Sequence, residues 1–465
     1  MWRTLDAPFG AAGASVRSDV TEWRRKRGYV SHGSKSRVIR VYLRPACGAD
    51  CQPTGHPVRS ALQSASMKRI FLSAAVLLAC ALSAVAQKRS YLFAWCGDVD
   101  KKASDFLAVI DADPASSHYG RVLATAPTGA VGSVPHHTEV EMPVGGRLMA
   151  NGFEAGRTWV FDLRQPLKPH VATSFGALDG YMHPHTFYRL ANGHVLATFQ
   201  YRGGHGPKAE GGGLVEVDNG GHMIRAGSAV HPTAAGELIR PYSVELLPGI
   251  DRIVSTNTAM HEEDGKARTI QVWQFSNLHV LHTFVLPPGP RGDEQYNPGE
   301  PRLLEDGKTV LVHTFSCGLY MVRGVDSDQP LIRFVYGFPG SDCGVPVRTG
   351  HWWLQTVPET HSLTVLDISD ADHPREVSRV TFDDSQKPHW IALDPSGTRI
   401  VLNSDENGPD HRLFIVNFDP KTGSAKLDER FRDPGSDRPG VSMDGKSWPH
   451  GFRGNAYAHG TVFSR

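Results

Sequence analysis

The chain has 465 residues, of which 40% are hydrophobic, so it is long enough to bury a large core. Its 49 basic and 48 acidic side chains give a net charge of +1, which excludes the broad positive field expected of a nucleic-acid-binding protein. The 48 glycines and 32 prolines are numerous for a helical protein and favour an all-β fold with many tight turns.

The amino-terminal part of the chain differs from the rest. Residues 1–66 lack sustained hydrophobic periodicity, and we interpret them as a disordered or mistranslated upstream extension. Residues 67–86 read as a secretory signal peptide, with a basic start, an apolar stretch and the small-residue cleavage motif Ala84-Val85-Ala86. Since the apolar stretch is too short to span a bilayer, we expect a periplasmic or secreted mature chain that begins near Gln87 and has no transmembrane segment. Lipoprotein anchoring at Cys80 is the alternative.

Residues 87–465 repeat a four-strand unit that is plainest near the carboxyl terminus. Short runs rich in β-branched and aromatic residues alternate there with turn-forming Asp, Asn, Gly and Pro. The runs are residues 390–393, 399–403, 412–418 and 425–431. Short antiparallel strands repeated in this way are typical of β-propeller blades.

Seven such units can be recognised, but the last is incomplete. It contains two predicted strands between residues 449 and 463, and strands in residues 91–123 can complete it. Joining both ends of the chain in one blade removes the free sheet edges. The sequence therefore predicts an all-β, seven-bladed β-propeller, residues 87–465, closed by strands from both termini.

One position of the repeat, directly after a proline, carries histidine in four units. These are His136 (followed by His137), His185, His389 and His450, whereas the other three units offer Tyr242, Gly299 and Asp342. Because equivalent positions are related by rotation about the ring axis, we expect the four histidines to converge at the channel mouth, with His137 and His183 beside them. Imidazole suits copper, zinc, iron or nickel, so the pattern predicts a metal site without choosing the metal. The one-sided distribution leaves room for a substrate.

Three cysteines remain in the predicted mature chain: Cys96, Cys317 and Cys343. A disulfide between Cys317 and Cys343 would suit an oxidising compartment. The alternative is a free thiolate that serves as a metal ligand or nucleophile.

Several motifs together resemble those of one known family. They are residues 105–114, Tyr119-Gly120-Arg121-Val122, His136-His137, Met182-His183-Pro184-His185, Asn192-Gly193-His194-Val195 and Gly211-Gly212-Gly213-Leu214-Val215. Together they are similar to the selenium-binding protein and methanethiol oxidase family, most closely in the first three blades. The resemblance implies a seven-bladed propeller. It also implies dependence on copper, which the family's oxidases require. These oxidases convert methanethiol, dioxygen and water to formaldehyde, sulfide and hydrogen peroxide. The family's histidines match His136, His137, His183, His185 and His450.

Two main functional hypotheses follow. The first is an exported copper-dependent oxidase of a small thiol or related sulfur compound, in which Tyr242 or Cys343 assists the redox chemistry. Its candidate metal ligands are His136, His137, His183, His185, His389 and His450. The second is a non-catalytic propeller that binds a partner protein or a metal. A calcium- or zinc-dependent hydrolase is a third hypothesis, for which acidic ligands should dominate the channel.

Overall fold

The computed structural model describes residues 89–404 and 407–465, which form seven antiparallel sheets arranged as the blades of a β-propeller. The predicted fold is confirmed. The predicted upstream extension, the signal peptide and Cys80 lie outside the described residues. In the part of the chain that is described, no helix has the length and apolar character needed to cross a membrane.

Four strands build each blade, and we number the blades in chain order. From the channel outward, blade 1 contains Pro135–Thr138, Arg147–Gly152, Arg157–Asp162 and His170–Phe175. Blade 2 contains Tyr181–Arg189, Val195–Arg202, Glu210–Val217 and Met223–Ser228. Blade 3 contains Pro241–Leu247, Arg252–Asn257, Thr269–Gln274 and His279–Val285. Blade 4 contains Pro298–Leu303, Val310–Thr314, Gly318–Arg323 and Leu331–Gly337.

The remaining blades follow the same order. Blade 5 contains Pro346–Thr349, Trp352–Val357, Ser362–Asp367 and Arg375–Thr381, and blade 6 contains Pro388–Leu393, Arg399–Ser404, Arg412–Asp419 and Ser424–Leu427. Blade 7 contains Ala456–Phe463, Tyr91–Asp98, Ser104–Asp111 and Val122–Val131. Val441–Ser442 adds to blade 6, and Lys446–Ser447 pairs with Arg453–Gly454 in a separate ribbon. Short 3-10 turns cover Pro232–Ala234, Pro248–Ile250, Glu262–Asp264 and Pro358–Thr360.

Blade 7 joins the two ends of the described chain, as predicted. Leu92 pairs with Phe463, and the Ser464 amide donates to the Tyr91 carbonyl at 2.8 Å. The division of strands differs from the prediction, because the carboxyl-terminal segment supplies one strand instead of two. Residues 449–452 form the turn of the separate ribbon, so only Ala456–Phe463 reaches the channel.

The core consists of seven apolar clusters, each located between two adjacent blades. Between blades 7 and 1, for example, Trp95 packs against Trp159 and Phe161 with ring centres 5.4 and 5.5 Å apart. Each blade has both faces covered by its neighbours, which explains why its strands are apolar on both faces. Removing one strand therefore uncovers two of these clusters.

Six of the seven innermost strands contain a β-bulge. In blade 1, Pro135 faces Gly152 and Thr138 faces Ala150, so two residues oppose one. The same irregularity recurs in blades 2, 3, 4 and 6 and, on the closing strand, in blade 7. A bulge turns side chains away from the regular alternation of a strand. The bulges therefore direct their residues toward the channel mouth.

Side-chain hydrogen bonds link the bulges of blades 2, 3, 4, 6 and 7 to the preceding blade. Asn151 Nδ2 donates to the Pro184 carbonyl at 2.7 Å, Thr198 Oγ1 to Tyr242 at 2.7 Å, and Thr256 Oγ1 to Gly299 at 2.6 Å. Thr356 Oγ1 donates to the His389 carbonyl at 2.8 Å, and Asn403 Nδ2 donates to the Ala458 carbonyl. We call these contacts the bulge latches. They satisfy backbone carbonyls that the bulges leave without a partner in their own sheet.

Deleting residues 449–465 tests the closure of the ring. The truncation removes the innermost strand of blade 7 and uncovers the clusters on both of its faces, so we expect the protein to become insoluble on expression. The control is removal of Arg465 alone, which leaves Phe463 and Ser464 paired with blade 7. A monomeric truncated protein with the parent's melting temperature would contradict the closure.

Candidate metal centre

Five bulges place aromatic polar side chains at one mouth of the channel. The residues are His136 and His137 from blade 1, His185 from blade 2, Tyr242 from blade 3, His389 from blade 6 and His459 from blade 7. We call these six residues the inner cluster. Four of its histidines, His136, His137, His185 and His459, are almost fully buried.

The imidazoles of the inner cluster are in direct contact. His136 Nε2 and His185 Nε2 are 2.9 Å apart. The ring of His136 stacks on that of His137 at 4.4 Å and lies 4.2 Å from that of His459. His389 continues the group, with its ring centre 5.0 Å from that of His459. Histidines that are distant in the sequence thus form one continuous site.

Hydrogen bonds orient the individual rings. His185 Nδ1 lies 3.0 Å from the Tyr242 carbonyl, which can only accept, so Nδ1 carries the proton and Nε2 keeps its lone pair. His137 Nδ1 lies 3.1 Å from Thr186 Oγ1, and its Nε2 lies 3.3 Å from the Tyr242 hydroxyl. Partners of this kind fix the tautomer and orientation of metal-binding histidines.

Burial keeps these imidazoles neutral. Burial, together with the neighbouring His459 and His137 rings, holds the pKa of His136 well below its usual value. Burial and the His185 ring lower the pKa of His137 in the same direction. Burial also lowers the pKa of His185 to about 3. A neutral imidazole offers a lone pair to a metal, so the cluster can bind an ion near pH 7 without first losing protons.

The arrangement fits a transition-metal ion. One ring nitrogen from each of His136, His137 and His459 lies within 4.8 Å of the others. Two nitrogens bound to one ion at about 2.0 Å and about 90° would be about 2.8 Å apart, close to the 2.9 Å between His136 Nε2 and His185 Nε2. Imidazole-rich sites suit copper and zinc, so the donor set alone leaves both possible.

His450 lies outside the inner cluster, which corrects the prediction that it occupies the repeated position. Its Nδ1 lies 2.9 Å from Thr125 Oγ1 on the outermost strand of blade 7, and its ring packs on Phe106. His459, nine residues later, occupies the bulge instead. The Pro-His motif misled the prediction because Pro449 belongs to a turn of the ribbon rather than to the start of a strand.

His183 is also separate from the inner cluster, although Pro184 alone divides it from His185 in the sequence. Its Nδ1 lies 3.1 Å from the Phe153 carbonyl, and its ring contacts Tyr201 and His205. Two histidines of the same strand, His183 and His185, thus belong to different groups at the channel mouth.

In blades 4 and 5, glycine occupies the position that holds His136, His185 and Tyr242 in blades 1 to 3. A Cβ on Gly299 would lie 2.2 Å from His313 Cε1, and a Cβ on Gly344 would lie 2.4 Å from Thr356 Oγ1. The predicted residue of blade 5, Asp342, is exposed; Gly344 takes its place. The cluster is therefore one-sided, as the sequence indicated.

His313 is a buried histidine that the repeat pattern missed. It lies on the second strand of blade 4, opposite the bulge. Thr198 and Thr256 occupy the equivalent positions in blades 2 and 3. The Glu300 amide lies 2.9 Å from its Nδ1, and burial lowers its pKa to about 3. Aligning the second strands, rather than the Pro-His motifs, would have identified this residue.

Cys343 forms a disulfide with Cys317, and both are fully buried between blades 4 and 5. The predicted disulfide is therefore present. The prediction that Cys343 assists the redox chemistry as a free thiol is wrong. Cys96 is buried among apolar residues of blade 7, where burial raises the pKa of its thiol. A buried, protonated thiol is a poor nucleophile.

Replacing Cys317 and Cys343 together with serine tests the structural role of the disulfide. The bond closes a loop of 26 residues, so its loss should lower the free energy of unfolding by about 3 kcal/mol. Denaturant unfolding checks this value. As a control, a reductant should destabilise the parent and leave the double variant unchanged. Equal stability of parent and variant would contradict the prediction.

Comparisons with known proteins agree with this architecture. No family model matches the chain. The methanethiol oxidase of Hyphomicrobium sp is 29% identical over 350 residues, which cover 68% of this chain and 76% of that protein.

Two solved structures share the fold. A hypothetical selenium-binding protein from Sulfolobus tokodaii superposes with a TM-score of 0.64 at 15% identity, covering 81% of this chain and 93% of that one. The periplasmic gluconolactonase PpgL of Pseudomonas aeruginosa gives 0.53 at 15% identity, covering 73% and 95%. With the sequence relative, these findings support a distant relationship between this chain and the selenium-binding protein and methanethiol oxidase family.

Proposed function

We propose that this protein is an exported, copper-dependent oxidase that acts on a small thiol or related sulfur compound at the inner cluster. The observation that carries the proposal is the convergence of buried, neutral imidazoles on one side of the channel mouth. The distant relationship to a methanethiol oxidase supports oxidase-like chemistry over other uses of such a site.

The proposed ligands are His136, His137, His185 and His459, with His389 next to them. His136 and His185 present nitrogens at a separation suited to one ion, and the ring of His459 lies 4.2 Å from that of His136. Copper held there would supply the redox chemistry between the thiol and dioxygen. The protein's own contribution is to hold unprotonated nitrogens in fixed positions and to exclude water from them.

The proposed substrate position is the side of the channel mouth at Gly299 and Gly344, where the inner cluster has no member. His313 and Thr356 fill the space next to these glycines, and the ring of Phe315 lies 5.3 Å from that of Tyr242 and 6.3 Å from that of His389. An apolar ring at this place suits a substrate with a short alkyl group and disfavours a large polar one.

Tyr242 is the residue proposed to assist proton movement. Its hydroxyl lies 3.3 Å from His137 Nε2, and its ring lies 4.0 Å from that of His185. Since both a hydroxyl and an imidazole can give or accept a proton, the pair can carry a proton between the substrate position and the cluster.

A hydrolase is a weaker hypothesis for this site. Among the described residues, the group with metal-ligand geometry contains only imidazoles. The buried Glu300 carboxylate in the bulge of blade 4 already accepts hydrogen bonds from Ser243 and Arg302. It is therefore engaged with other partners and is a poor candidate for a general base acting on water.

The disulfide supports the proposal of export. Disulfides persist in oxidising compartments and are rare in the cytosol. The Cys317–Cys343 bond thus agrees with the signal peptide inferred from residues 67–86. The two observations together support a periplasmic or secreted location.

Single alanine substitutions of His136, His185 and His459 test the function. Each should reduce bound copper well below the parent level and slow methanethiol oxidation by about 100-fold or more, since each removes a ligand rather than a supporting partner. Metal analysis and oxygen uptake, with detection of sulfide and peroxide, provide the measurements.

Two matched controls should keep the parent's copper and activity. His450→Ala removes a histidine that contacts Thr125 and Phe106 instead of the cluster, and His222→Ala removes an exposed one paired with Asp218. Unchanged copper in all three cluster variants would refute the site. Copper binding by the parent without thiol oxidation would favour the non-catalytic binding hypothesis.

A further inference from the structure

A second group of histidines lies at the channel mouth outside the inner cluster. We call it the outer cluster: His183 at the innermost strand of blade 2, His205 in the following loop, and His261 after the second strand of blade 3. The ring of His183 lies 5.4 Å from that of His205 and 6.5 Å from that of His261. Three elements of two blades thus bring imidazoles to one place.

Phe153 separates the two clusters. Its buried ring lies 5.4 Å from His183 and 5.2 Å from His261 on one side. On the other side it lies 5.9 Å from both His136 and His185. The outer cluster is therefore a distinct site. His205 is exposed, so this site is accessible from solvent.

A buried polar network holds the segments that carry His205 and His261. Arg240 Nε donates to Asp264 Oδ2 at 3.0 Å, and Arg240 Nη2 donates to the Gly206 carbonyl at 3.1 Å. The Tyr201 hydroxyl donates to the same Asp264 oxygen at 2.7 Å. Because a buried ion pair adds little net stability, its value here is to fix the two segments relative to each other.

The network also leaves one polar atom without a protein partner. Asp264 is fully buried, yet its Oδ1 has no hydrogen-bond partner in the structure. Burying a carboxylate oxygen without a partner destabilises the folded protein unless a hydrogen-bond donor or a cation binds it. Glu262 and Glu263, exposed beside His261, add negative charge to the same turn.

His183 is oriented as a metal ligand would be. Its Nδ1 is 3.1 Å from the Phe153 carbonyl, which can only accept, so Nε2 keeps its lone pair. A Cβ on Gly156 would lie 3.6 Å from that Nε2, so a side chain there would cover the nitrogen that the glycine leaves uncovered. His183 has a φ of 55°, a left-handed conformation that a non-glycine residue keeps only where its surroundings impose it.

The ring separations match shared coordination. An ion about 2.0 Å from a ring nitrogen lies about 3.2 Å from the ring centre, so two rings at a tetrahedral angle have centres about 5 Å apart. His183 and His205, at 5.4 Å, are close to this value. His261, at 6.5 Å, needs a shift of roughly 1 Å to join them, and it lies on a partly exposed turn.

We propose that His183, His205 and His261 form a second, solvent-accessible binding site for a transition-metal cation of the zinc and copper class. The site lies at the channel rim and is separated from the inner cluster by Phe153. It is independent of any activity of the inner cluster.

Zinc titration of tag-free protein tests the site with a redox-inactive probe. In a chain whose inner cluster is disabled by His136→Ala and His459→Ala, calorimetry should still detect about one zinc ion per chain. Adding His205→Ala and His261→Ala to that chain should weaken this binding at least about 10-fold. As the matched control, His222→Ala and His231→Ala, which remove two exposed histidines outside both clusters, should leave it unchanged.

A second measurement tests the site if the chain with His136→Ala and His459→Ala does not fold. In the otherwise unaltered chain, His205→Ala with His261→Ala should lower zinc stoichiometry from about two ions to about one. Zinc affinity and stoichiometry that are unaffected by these two substitutions would overturn the proposal. The inner cluster is tested separately, by the copper content of the His136, His185 and His459 variants.

Discussion

The bulge latches are the interaction on which the candidate site depends. A bulge leaves backbone carbonyls without partners in their own sheet, and Asn or Thr side chains of the preceding blade satisfy them. Each latch therefore links two blades and fixes the backbone that carries a channel-facing side chain. The Tyr242 carbonyl illustrates this coupling, because it accepts from both Thr198 and His185. The same atom joins blade 2 to blade 3 and sets the tautomer of a proposed ligand.

The inner cluster is chemically unusual because so many imidazoles are buried together. Placing several in one dry volume would be unfavourable if they were charged, and their pKa values are accordingly depressed by burial and by one another. The outcome is a set of neutral donors that are poorly hydrated and closely spaced. An ion that accepts imidazole nitrogen would bind several of these closely spaced donors at once.

The inner cluster has no member from blades 4 and 5, and the packing of these blades explains why. His313 and Thr356 fill the space that side chains at Gly299 and Gly344 would need, so these positions remain glycine for steric reasons. The disulfide joins these same two blades, and Cys343 directly precedes Gly344. The disulfide fixes the backbone next to Gly344, which has no side chain of its own to pack there.

The repeat of Gly- and Pro-punctuated strands was sufficient to predict the seven blades and their closure, because turn residues and apolar runs are local properties. The same repeat identified His136, His185 and His389, since rotation about the ring axis converts a recurring position into proximity. It also predicted the one-sidedness of the cluster. These inferences needed no information about contacts between blades.

Tertiary structure decided the remainder. Only strand register showed that His459, rather than His450, occupies the bulge of blade 7, because a proline in a turn and a proline at the start of a strand look alike in sequence. His313, on the second strand of blade 4, fills the space opposite Gly299. His183 and His185, two residues apart, were assigned to different clusters by the ring of Phe153. Such outcomes depend on which side chains meet across blades, and a linear pattern does not contain that information.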